Sequence, residues 1–76
     1  MTALRVETSA EDGAMHITLS GEIDLANAAA VEDKIREAVS NQPTTVSVDL
    51  TDLTYMDSAG IRILFGLVSR DFASFT

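Results

Sequence analysis

The 76-residue chain contains no cysteine, one proline and only five lysine and arginine residues. The lack of cysteine excludes a disulfide staple and a thiolate zinc site, which fits a reducing compartment. Five basic residues against twelve acidic ones leave a formal charge of −7. With no Lys/Arg cluster to neutralise phosphates, direct binding to DNA or RNA is disfavoured. No apolar-rich stretch approaches the ~20 residues of a membrane span; the longest, Ile61 to Val68, falls far short. The opening Met1-Thr2-Ala3-Leu4-Arg5-Val6-Glu7 lacks the charged-then-apolar profile of a signal peptide. Nor is there a phosphate-cradling loop of the Walker or dinucleotide kind. These absences lead us to expect a cytoplasmic protein with no cofactor, no metal, no nucleic-acid partner and no membrane partner.

What is present is an ordinary globular composition, 46% hydrophobic and 22% charged. A chain of this length makes one small domain, residues 1–76, which buries only about 60% of the surface exposed by its unfolded form. Leu4, Val6 and Thr8 alternate with Arg5, Glu7 and Ser9, and a second alternating run places Met15, Ile17 and Leu19 on one face. Between the runs, Asp12-Gly13 supplies the positive φ of a tight hairpin connection. Gly21-Glu22-Ile23-Asp24-Leu25 closes the second strand. Ala28, Val31, Ile35, Ala38 and Val39 then recur at helical spacing behind a candidate N-cap, Asn27, with Glu32 and Arg36 placed for a surface ion pair. Pro43 ends this helix, because proline cannot continue it.

Val46, Val48 and Leu50 mark a third strand from Thr44 to Leu50. Strand, helix, strand implies a parallel, right-handed crossover. Thr51 to Asp57 reads as a connecting loop, and a second helix runs from Ser58 to about Arg70 with apolar residues, Ile61, Ile63, Leu64, Phe65, Leu67 and Val68, almost all round it. The fold class is α/β: an antiparallel hairpin and a parallel strand in one mixed sheet, with two helices packed on it. There is no internal repeat.

Three segments in order, Gly21-Glu22-Ile23-Asp24, Val48-Asp49-Leu50-Thr51-Asp52-Leu53 and Tyr55-Met56-Asp57-Ser58-Ala59-Gly60-Ile61, resemble a STAS domain of the anti-sigma-factor antagonist type. The likeness runs to about Arg70. It stops before the strand and amphipathic helix with which the family usually continues, leaving 71–76 as an atypical tail. The resemblance implies that Ser58 is phosphorylated by a partner that is both serine kinase and anti-sigma factor. The unphosphorylated form binds that partner and frees the sigma factor, and a phosphatase resets the switch. It further implies a partner surface formed by Glu22, Asp24, Asp57, Ser58, Ala59 and Gly60.

Plainer roles exist for each residue. Ser58 opens a helix, where a serine oxygen caps an unpaired N–H; Ala59 and Gly60 would then keep the first turn small and open to an approaching enzyme. Asp24 fits a turn and Asp57 fits the positive end of the helix dipole. His16 falls with Thr18 and Ser20 on the polar strand face and is expected to be a surface histidine. A serine hydrolase would need His16 beside Ser58 and a Gly-x-Ser-x-Gly elbow, whereas Met56-Asp57-Ser58-Ala59-Gly60 lacks the first glycine. A STAS subunit of a stress-signalling scaffold or transporter-associated complex is a second alternative. If large side chains of the second helix stay in water, each forfeits about 1.5 to 3 kcal/mol of burial. Weak stability, or self-association through that surface, is then expected.

Overall fold

The computed structural model describes residues 3–40, 42–68 and 73–76. Strands β1 (Arg5–Glu11) and β2 (Ala14–Ile23) form the hairpin, with Glu11 opposite Ala14 and both turn residues at positive φ, Asp12 at 51° and Gly13 at 83°. This is the twist of a two-residue connection that matches the strands it joins. Helix α1 (Ala28–Val39) crosses to β3 (Thr45–Met56), which lies parallel to β2. Helix α2 (Ser58–Val68) follows. The apolar spacing of α1 maps onto its buried face residue for residue: Ala28, Val31, Ile35, Ala38 and Val39. On its outer face Glu32 and Arg36 make the expected ion pair, which at such exposure contributes a few tenths of a kcal/mol.

One core joins Met15, Ile17, Leu19 and Ile23 of β2 with Val46 and Val48 of β3, Val31, Ile35, Ala38 and Val39 of α1, and Leu64 of α2. Alternation sends the intervening residues to the other face of the sheet, where His16 is exposed and its Nδ1 lies 2.7 Å from the Ser47 hydroxyl. The helices therefore cover one face only.

Two expectations are corrected. Thr51 to Met56 is not a loop but the second half of β3. Register slips twice along the strand: Thr18 pairs with Asp49 while Ser20 pairs with Asp52, and Gly21 pairs with Leu53 while Glu22 pairs with Tyr55. Each slip is a bulge that inserts one extra β3 residue, so the inward residues Leu50, Leu53 and Met56 fall three apart and the alternation that marks a strand is lost. Side chains satisfy the bulges. Asp49 Oδ1 accepts the Thr51 N–H at 2.9 Å, and the Thr54 hydroxyl donates to the Gly21 carbonyl at 2.9 Å. Second, part of the tail forms a strand, β4 (Ala73–Phe75), parallel to Val46–Val48 at the edge of the sheet, in the order β1-β2-β3-β4.

The second helix is described to Val68, so Ser69 and Arg70, the last residues expected in it, lie outside the described residues. Along its described side chains Ile61 is exposed, Ile63 half-buried and Leu64 buried. The side chains of Phe65, Leu67 and Val68, on which the expected self-association rests, also lie outside them. An open groove of about 300 Å³ runs between α1 and α2 over Ile35, Val39 and Ile63. No described helix is long and apolar enough to cross a membrane.

The first bulge makes a testable electrostatic statement. Hydrogen bonds from the Thr51 hydroxyl and then its backbone N–H favour the ionised carboxylate, holding Asp49 below the usual carboxylate range. The folded value lies below the unfolded one, so the stabilisation is present above the unfolded value and is lost as pH falls through the folded one. A carbon-13 titration of Asp49 should show the lowered midpoint. Thr51→Val, which removes the larger contribution, should move it back up.

Candidate functional site

β2 and β3 run parallel and end side by side, with Ile23 paired to Met56. Their two following turns therefore emerge together at the carboxyl end of the sheet, where ligands commonly meet α/β proteins. The Asp57 N–H donates to the Ile23 carbonyl at 3.2 Å, tying one turn to the other. This bond brings Asp24, next in sequence to Ile23, to the same edge as Asp57 and Ser58.

The first turn is closed by reciprocal bonds. Asp24 Oδ1 accepts the N–H groups of Ala26 at 2.9 Å and Asn27 at 3.2 Å, while Asn27 Oδ1 accepts the Asp24 N–H at 3.0 Å. Asn27 Nδ2 also donates to the Glu22 carbonyl at 3.0 Å. Asn27 occupies the N-cap position of α1, as its place in the sequence suggested, but its side chain makes no cap bond and is turned back on the strand instead. Such a side chain-closed turn is the usual habit of Asp and Asn.

At the second turn the cap belongs to Asp57, not to Ser58. The Asp57 carbonyl accepts the Ile61 N–H at 3.1 Å, the first bond of α2, and Asp57 Oδ1 accepts the Ala59 N–H at 3.0 Å. Ser58 is consequently the first residue inside the helix. It is exposed, and among the described residues its hydroxyl has no hydrogen-bond partner. The ordinary structural reason for a serine here is thus taken by its neighbour. Replacing Asp57 with alanine should cost about 1 kcal/mol, the usual value of a cap, read as a lower urea midpoint with an unchanged slope.

The remaining expected site residues divide. Glu22 is half-buried, in register with Tyr55. Ala59 is half-buried too. Gly60 is buried and faces inward: a Cβ on it would lie 3.0 Å from Ile23 Cγ2 and closer still to Met56 Cγ. Its missing side chain seats α2 against the strand ends and does not hold the outer surface open. Glu22, Asp24, Asp57, Ser58 and Ala59 share the carboxyl edge, with Gly60 beneath it.

Sequence reading missed three apolar side chains around this edge. Leu25 is 81% exposed, Tyr55 52% and Ile61 43%, and among the described residues they are the large hydrophobics left in water. They stand beside Asp24, two residues before Asp57 and three after Ser58. Periodicity does not expose such positions, because Leu25 sits in a turn and Tyr55 follows a bulge.

Chemically, the site offers a primary alcohol in water flanked by carboxylates already committed to backbone N–H groups. His16, the single histidine, pairs with Ser47, and the seven steps of β2 from His16 to Ile23, which pairs with Met56, put about 23 Å of strand between them and the site. A Ser58–His16 dyad is therefore not assembled. Among the described residues, no group of three His, Asp or Glu side chains is placed to hold a metal ion.

A mixed sheet with an antiparallel hairpin, a parallel third strand, helices on one face and a serine at the β3–α2 junction defines a STAS domain. The chain belongs to that family: residues 6–71 match the family model described as "Mlab, STAS domain". It is 36% identical over 80 aligned positions to the anti-sigma-F factor antagonist RsfB of Mycobacterium tuberculosis, covering 90% of this chain. The chain spans 66% of that relative's length. A solved anti-sigma factor antagonist of Mycobacterium paratuberculosis superposes with a TM-score of 0.84 at 27% identity, covering 96% of this chain and 64% of the other. The Bacillus protein SpoIIAA in its phosphorylated form superposes with a TM-score of 0.66 at 26% identity, covering 88% of this chain and 60% of the other. The unphosphorylated form gives 0.67 at the same identity, with 88% and 61% covered.

Proposed function

We propose that this chain is a phosphorylation-controlled binding module, not an enzyme, that acts in the cytoplasm as an anti-sigma-factor antagonist. Unphosphorylated Ser58 marks the state that binds an anti-sigma factor kinase; phosphorylation by that partner ends binding, and a phosphatase restores it. The observation that carries this reading is the Ser58 hydroxyl, exposed and unpaired at the first position of α2 while Asp57 does the capping. A group with no structural duty is free to be modified. The likeness to an antagonist solved in phosphorylated and unphosphorylated forms supports the same reading.

Electrostatics fits a switch that leaves the fold alone. A phosphate on Ser58 would sit at the positive end of α2, an interaction worth about 0.3 to 1 kcal/mol when exposed. It would also add nearly two negative charges beside Asp57 and Asp24. Stabilisation of the helix and repulsion from the carboxylates oppose each other within the domain, whereas an approaching partner meets the added charge directly. Glu22, Asp24, Asp57 and Ala59 complete the proposed docking edge, with Gly60 as the packing residue beneath it.

The test is incubation with the cognate anti-sigma kinase and radiolabelled ATP. Wild type should take up label, and Ser58→Ala should take up none while keeping a stability within about 0.5 kcal/mol of wild type. Equal labelling of both would remove Ser58 from its assigned role. Recovery of a membrane ATPase in place of a kinase-type anti-sigma factor in a pull-down would favour the transporter-associated reading of the same fold.

A further inference from the structure

We infer that Leu25 is the apolar anchor of the partner interface, inserting into a hydrophobic pocket of the anti-sigma factor, so that adhesion and switching are carried by different residues of one edge. The inference rests on the proposed reading of Ser58 as the centre of that edge. A single exposed leucine means little on any protein surface. Here the distribution is the observation: the three large hydrophobics exposed among the described residues, Leu25 in the turn after β2, Tyr55 near the end of β3 and Ile61 near the start of α2, all lie within three residues of Asp24 or Ser58. Clustered apolar exposure marks interaction surfaces, whereas scattered exposure does not.

Leu25 is the most exposed of the three, at 81%, and its exposure is imposed. Asp24 and Asn27 on either side bind each other, and Asp24 Oδ1 also takes the Ala26 N–H. The turn is thus fixed in a shape that holds Leu25 outward, where a looser loop would let it fold down on the half-buried residues nearby. A backbone already fixed in one shape has less freedom to lose on docking than a loose loop. Apolar anchors of this kind, filling a pocket and ringed by polar groups, dominate interface energies. The ring here is Glu22, Asp24 and Asp57, groups that set charge, while Leu25 supplies contact area.

The assignment is tested by titrating the anti-sigma-F factor of Mycobacterium tuberculosis, the target named for the curated relative, against wild type, Leu25→Ser, Leu25→Met and a phosphorylated wild type. Leu25→Ser should raise Kd about ten- to hundredfold, as expected for losing a buried leucine, with an unchanged thermal midpoint because Leu25 buries almost nothing in the free domain. Leu25→Met, which keeps the apolar volume, should stay within about threefold. Binding that is weakened by phosphorylation yet unchanged by Leu25→Ser would overturn the anchor and leave the Ser58 reading standing. A loss in Leu25→Ser matched by a lowered midpoint would also overturn it, since the residue would then act through folding. No binding by unphosphorylated wild type would overturn both.

Discussion

Valine in place of Gly21 is expected to leave little or no folded protein at 25 °C. Gly21 lies within β2 at φ 93°, a backbone conformation that side chains bearing a Cβ rarely adopt. A Cβ there would fall within contact-forbidden range of the Ala3 carbonyl oxygen and 2.9 Å from its carbon. Both obstacles are backbone, so no rotamer change relieves them. The same residue borders the second bulge and gives its carbonyl to Thr54, so a shift of the strand would undo that bond as well. Backbone strain of about 1 to 3 kcal/mol and overpacking of about 1 to 3 kcal/mol together rival the 3 to 5 kcal/mol that so small a core supplies. A thermal melt followed by circular dichroism should show the cooperative transition lost or lowered by more than about 10 °C. A wild-type midpoint would show that the approach of Ala3 to β2 is wrong.

The second large effect is functional. Glutamate at position 58 should weaken binding to the anti-sigma factor by about two- to thirtyfold while leaving the fold intact. Ser58 is exposed at the positive end of α2, where an added carboxylate is tolerated. The cost appears at the interface. For each partner carboxylate brought to about 8 Å, a doubly charged phosphate is repelled by roughly 1 kcal/mol at the dielectric of water and roughly 4 kcal/mol at an effective value of 20. Docking expels water and moves the site toward the second figure, and salt reduces both. Glutamate carries half that charge and should act in the same direction with a smaller effect. Equilibrium titration of the Ser58→Glu variant in low and moderate salt checks both the loss and its partial relief.

The ease with which this fold can be read differs from element to element for physical reasons. The hairpin declares itself because Asp12-Gly13 meets a strict backbone requirement in place. The α1 face declares itself because each buried residue answers to one local period. The far half of β3 does not, since bulges are set by pairing with β2, and that pairing is distant in sequence. Ser58 and Asp57 are adjacent and both suited to capping; only the carbonyl that Ile61 bonds to decides between them. Gly60 seemed to belong to the surface because smallness alone does not say which way a residue faces. The edge joining Asp24 to Ser58 came from family likeness, and the Asp57-to-Ile23 bond gives it a local cause. Leu25 had no signal at all, for exposure in a turn leaves no period.

The proposed switch requires that charge on the Ser58 hydroxyl govern docking and not folding. Its most direct test is a side-by-side titration of the anti-sigma factor with the same preparation before and after stoichiometric phosphorylation, each form also melted. At least a tenfold weaker affinity with midpoints a few degrees apart at most is the predicted result. Equal affinities, or a weakened affinity accompanied by collapse of the melt, would contradict it.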